Sequence, residues 1–157
     1  MWNFHGNDTG IKIRVRGDPI KKQISIFLEN KQGRLRDVLK LLADNNIDIR
    51  ALTIAETTDY GVLRLIVDDT DKTVDALRGN NFRINITDVI VVEIQDISGS
   101  IYSFVDMLYQ HGINVEYAHT YTPTNFGKTA FVIRVNEDKT EEALEIIKNC
   151  DDVKILR

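Results

Sequence analysis

The sequence predicts an α+β chain built from two copies of one β-α-β-β-α-β unit, each an antiparallel four-stranded sheet with two helices on one face. Two observations carry this reading. The first is an internal repeat: ENKQGRLRDVLKLLADNNIDI from Glu29 can be laid on QDISGSIYSFVDMLYQHGINV from Gln95, with Gly33 falling on Gly99 at a shift of 66 residues. Under that shift Leu35 meets Ile101, Val38 meets Phe104, Leu42 meets Leu108, Ile47 meets Ile113 and Gly61 meets Gly127, while DKTVDAL from Asp71 matches DKTEEAL from Asp138 at a shift of 67. The second observation is periodicity, which switches between the strand period of two and the helix period of 3.6 in the same order in both copies.

The elements follow in order. Ile24, Ile26 and Leu28, like Ile90, Val92 and Ile94, alternate with other residues as a strand with one buried face does. Leu35, Val38, Leu39 and Leu42, echoed by Ile101, Phe104, Val105 and Leu108, stand at i, i+3, i+4 and i+7 and form one apolar helix stripe. IDIRALTIAE and INVEYAHTYT read as second strands. Tyr60-Gly61 and Phe126-Gly127 read as hairpin turns, followed by VLRLIV and TAFVIRV as third strands. Second helices are expected to start near Asp71 and Asp138, where Asp and Thr suit a first turn. RINI and VKIL supply the fourth strands, which completes two ferredoxin-like units over residues 21–87 and 88–157, with residues 1–20 outside the fold. Ile11, Ile13 and Val15 alternate with basic residues and offer an edge strand or a tail. A unit of this size buries a thin core, so pairing is favoured. Phe27, Val89 and Val91 are expected on the helix-free face, where they suit a contact between domains or between subunits.

Composition narrows the function. The chain of 157 residues is 43% hydrophobic and 28% charged with a net charge of −4, which suits a cytoplasmic globular protein. No basic run holds phosphate backbones or anionic lipid, so neither nucleic acid nor a membrane is expected as partner. The single Cys150 cannot form an intrachain disulfide, and no apolar run is long enough to span a bilayer. Neither a phosphate-binding loop nor a dinucleotide glycine triplet occurs, and the three histidines lack zinc-site spacing, so no cofactor, metal or catalytic group is expected. His119 reads as a partly buried strand residue with a satisfied ring, and Cys150 as a small apolar filler.

A binding site is legible instead. Gly33 and Gly99 each stand where a strand turns into a helix, where a glycine lets a ligand approach the backbone and the helix start attracts a carboxylate. Acceptors for an ammonium are Asn30 and Asp96 at the ends of the first strands, and Asp48 and Asn114 at the starts of the second; both pairs are expected near that helix end. A ligand held within one copy would meet one carboxylate and one amide in each. A ligand spanning two copies would meet Asn30 with Asn114 and Asp96 with Asp48.

From about Lys22 to Arg157 the chain resembles the amino-acid-binding ACT domains, regulatory modules of amino-acid metabolism. The loop LENKQGRL is similar to that family's strand, Asn or Asp, two residues, Gly, apolar pattern, and IQDISGSI keeps Asp96, Gly99 and Ile101. Gln32 and Ser98 stand where many members carry Pro. The resemblance implies a non-catalytic amino-acid sensor with the loop residues Asn30, Gln32, Gly33, Arg34 and Leu35 in one copy and Asp96, Ser98, Gly99, Ser100 and Ile101 in the other at the ligand, together with Asp48 and Asn114. It implies a homo-oligomer, a dimer at least, and an enzyme of amino-acid metabolism as partner. The alternative is an interaction subunit with no ligand of its own, similar to small subunits of acetolactate synthase.

Overall fold

The computed structural model describes residues 19–56, 59–121 and 126–156. The N-terminal stretch, including the Ile11–Val15 alternation, lies outside the described residues. The elements run β1 (Ile20–Glu29), α1 (Arg34–Asp44), β2 (Ile49–Glu56), β3 (Tyr60–Val67), α2 (Thr70–Gly79), β4 (Arg83–Gln95), α3 (Ser100–Gln110), β5 (Val115–Tyr121), β6 (Lys128–Val135), α4 (Thr140–Lys148) and β7 (Lys154–Ile155).

All described strands join one antiparallel sheet in the order β2-β3-β1-β4-β6-β5, with β7 paired to β4. The fourth strand of the first copy and the first strand of the second are one continuous strand. The residue 87/88 boundary expected from sequence therefore falls inside β4. Its first half pairs with β1 from Phe27 opposite Arg83 to Ile20 opposite Ile90, and its second half pairs with β6 on the other edge, Ile90 opposite Ile133. β7 continues the β1 edge, with Ile155 opposite Val92.

Each copy packs its helices on its own half of the sheet. Ile24, Ile26 and Leu28 meet Val38, Leu42, Leu65 and Leu77 in one core. Ile90, Val92 and Ile94 meet Phe104, Leu108, Ile133 and Ile147 in the other. A third cluster joins the helix-free faces: Ala51 and Ile66 of the first copy pack with Val89, Val91, Ala130 and Val132. Val89 and Val91 are thus buried between the copies of one chain, each adding about 2 kcal/mol by removal from water. Phe27 stays exposed, with the Arg83 guanidinium 5.7 Å from its ring centre.

Polar groups share this seam. Gln23 donates from Nε2 to the Tyr117 hydroxyl, and the Arg64 guanidinium lies 4.6 Å from the Tyr117 ring centre. His119 stacks on Tyr117 at 6.4 Å. Its Nδ1 is buried without a hydrogen-bond partner among the described residues, in contrast to the satisfied ring expected from sequence. Burial first, then the Arg64 charge, lowers the His119 pKa, because both disfavour a second cation there.

Two turns differ from the sequence reading. Tyr60 and Gly61 already belong to β3, with Gly61 opposite Leu28, whereas Gly127 sits in a turn at φ 73°. Strand pairing therefore matches Gly127 with Asp59, since Asn30 N–H donates to Asp59 O and Asp96 N–H to Gly127 O. α2 starts at Thr70, its Asp69 cap accepting from the Lys72 N–H at 3.0 Å. In the second copy Asp138 lies in a 3-10 turn, Glu137–Lys139, ahead of α4. The buried residues Thr73, Val74 and Leu77 correspond to Ala143, Leu144 and Ile147 at a shift of 70, so the repeated DKT occupies different local structures.

Candidate functional site

Each copy builds the same backbone corner between its first strand and first helix. Gly33 and Gly99 cap α1 and α3 in the left-handed region at φ 92°, and no side chain caps either helix. The corners match bond for bond. Asp37 N–H donates to Gly33 O and Ser103 N–H to Gly99 O, both at 2.9 Å, while Arg34 N–H reaches Lys31 O and Ser100 N–H reaches Ile97 O. A Cβ at either glycine would meet nothing within 4 Å, so the backbone angle, and not crowding, calls for glycine, and the space in front is open. The helix start adds a positive dipole end.

The side chains around the two corners differ. The first has an ion pair of Lys31 and Glu29 at 2.9 Å, and the Lys31 hydrogen bond and charge hold the Glu29 carboxyl below its usual range. Arg34 opens its helix with Nε buried and without a hydrogen-bond partner among the described residues. A small cleft of about 80 Å³ lies there, lined by Asn30, Lys31, Arg34, Leu35, Ile54 and others. At the second corner Gln95, Ile97, Ser100 and Ser103 replace Glu29, Lys31, Arg34 and Asp37. A cleft of about 530 Å³ opens beside Ser98, Gly99 and Ser100 and runs under α3 to Cys150, Asp152 and Val153.

The structure gathers Asn30, Gln32, Gly33, Arg34 and Leu35 at one corner and Asp96, Ser98, Gly99, Ser100 and Ile101 at the other. It does not bring Asp48 or Asn114 to them. Asn30 lies beyond the Tyr60 end of β3, whereas the Asp48 carbonyl accepts from Asp68 N–H past the Val67 end. The eight-residue β3 separates them, by roughly 23 Å at about 3.3 Å per residue. Asn114 likewise precedes Val115, which pairs with Val135, while Asp96 follows Gln95, which pairs with Lys128 at the opposite end of β6. The expectation that both polar pairs flank one helix start is thus corrected. The first and second strands of a unit run parallel, so the end of one and the start of the other lie at opposite ends of the sheet. Asp48 is instead ion-paired with Arg50 at 3.1 Å.

Sequence reasoning missed the walls of the second cleft, Met107, Cys150, Asp152 and Val153. A signal was available. Phe82 just before β4 and Val153 just before β7 hold equivalent places, and Val153 lines the cleft where the first copy carries the larger ring. Cys150, half-buried, lines that cleft and is not merely core filler. Among the described residues no three His, Cys, Asp or Glu side chains gather as metal ligands would, and no helix is long and apolar enough to cross a membrane.

A family model described as an ACT domain pair matches residues 20–154. Among solved structures, a protein from Bacteroides thetaiotaomicron is 38% identical, with a TM-score of 0.80 over 88% of this chain and 92% of its own. The regulatory subunit of aspartate kinase from Thermus thermophilus, 14% identical, matches with a TM-score of 0.62 over 82% of this chain and 91% of its own. That from Thermus flavus, 16% identical, reaches 0.59 over the same shares. No curated protein sequence matches the chain.

Proposed function

The chain belongs to the family of ACT domain pairs, and from that premise we propose that it is a non-catalytic regulatory protein that binds an amino acid. One observation supports this above others: two uncapped helix starts, each preceded by a glycine at φ 92°, with open space in front. Such a corner presents backbone donors and a dipole end to a carboxylate while keeping side chains out of the way. The residues gathered there, Asn30 to Leu35 and Asp96 to Ile101, are the proposed contacts. Asp48 and Asn114 contribute only where another chain brings them to a corner.

The ligand would act on a partner enzyme of amino-acid metabolism in the cytoplasm. Support for this comes from the aspartate kinase regulatory subunits that share the fold. A homodimer is part of the proposal. Leu35, Leu52 and Ile54 stay at least 37% exposed along the outer strand β2 and helix α1, and a second copy would cover them. The test is a thermal-shift screen with the twenty amino acids, because a ligand bound only by the folded state raises the unfolding midpoint. At least one amino acid is expected to raise it, and a flat response to all of them overturns the reading.

A further inference from the structure

We propose that the second copy has a side-chain pocket of a size that the described residues of the first copy do not form, the cleft under α3, and that it takes an α-amino acid with an uncharged aliphatic or thioether side chain. The inference rests on the amino-acid-binding reading above and adds the place and the class of ligand. Ile94, Phe104, Met107 and Val153 form the apolar part of the cleft, and its volume of about 530 Å³ is in the range of small-molecule sites. Ser98, Ser100 and Ser103 line its rim beside the Gly99 corner, three hydroxyl donors where a carboxylate would lie. Asp152 is the one charged residue among those lining it. Asp152 serves the α-ammonium at the mouth, Asp96 stands at the corner outside the lining, and the apolar walls offer no carboxylate to a basic side chain. Among the described residues no cation lines the cleft to hold an acidic side chain, and an unpaired charge against its apolar walls is disfavoured.

The first copy carries the counter-evidence that fixes the assignment. Its aromatic ring, Phe82, packs against the first core at the place of Val153. In the second copy the aromatic volume sits deeper, in Phe104 and Phe131, whose rings meet edge-on at 5.9 Å. Asp37, ion-paired with Arg36 at 3.6 Å, stands at the place of Ser103, so the first corner has no hydroxyl there to donate to a carboxylate.

The experiment uses the full chain and its only cysteine, Cys150, which lines the cleft. Leucine, isoleucine, valine and methionine are tested by calorimetry and by the rate at which iodoacetamide alkylates Cys150. At least one is expected to bind with one site per chain and to slow alkylation severalfold. Val153→Phe, which installs the ring the first copy already accommodates, should weaken binding by about tenfold or more. Ser103→Asp, at an exposed helix position, should do the same and keeps the test valid if Val153→Phe does not fold. Binding that leaves Cys150 unprotected and is unchanged in Ser103→Asp overturns this pocket while the amino-acid reading stands. A thermal-shift response to charged amino acids with none to these four overturns the ligand class. No binding of any amino acid overturns both.

Discussion

The two copies of the unit share a backbone and differ in what surrounds it. At the strand-to-helix corner the hydrogen bonds and the glycine φ agree. Yet Glu29, Lys31, Arg34 and Asp37 crowd the first corner with charge where Gln95, Ile97, Ser100 and Ser103 are uncharged, and Asp96 replaces Asn30 as the second corner's own charge. Backbone geometry at a corner is held by a few bonds that most side chains tolerate, so the shape persists through duplication while the chemistry in front of it drifts. A duplicated site is therefore not two equal sites.

The comparison can be broken at several levels, beginning with the cores. Leu42→Ala and Leu108→Ala remove equivalent side chains, both at most 1% exposed, and each should cost about 3 kcal/mol. Because β4 belongs to both halves, each variant should still unfold in one transition in urea followed by circular dichroism. A second transition for either would show that the halves are energetically separate.

Next come the corners. Gly33→Val and Gly99→Val should each destabilise by about 1–2 kcal/mol, because an L-residue at φ 92° is strained even where space is open. Loss of ligand binding in these variants therefore does not by itself report contact with the ligand. Asn, which tolerates the left-handed region better, should cost less at both corners, and unequal costs in the two copies would show that the corners are not equivalent.

A smaller difference is expected at the second helices. Asp69→Ala removes a side-chain cap and should cost about 1 kcal/mol, whereas Lys139→Ala at the matching start of α4, which has no side-chain cap, should change little. Thermal melts of the two variants check the contrast.

The smallest effect concerns pH. His119 occupies the place that Thr53 holds in the first copy, and its folded pKa is lowered from 6.5 by burial and Arg64. The unfolded chain then takes the proton first as pH falls. The stability linked to this group is fully present above about pH 6.5 and is lost as pH drops through the folded value. His119→Gln should flatten that part of the curve in melts between pH 7 and 5, and an unchanged slope would assign it to other groups.

Element order, the alternating core residues Ile24, Ile26 and Leu28 with their second-copy counterparts, and the glycines that turn strand into helix were legible in the amino-acid sequence. These are local properties: periodicity and backbone freedom are carried by residues close together in the chain. The sequence did not show that β4 serves both copies, that Val89 and Val91 pack with Ala51 and Ile66 of the first copy, or that Asp48 and Asn114 sit at the far ends from the glycine corners. Those outcomes depend on which strands pair on which edge and on how one sheet brings its two helix-free faces together. Such pairings join residues far apart in sequence, so they emerge only when the whole chain folds.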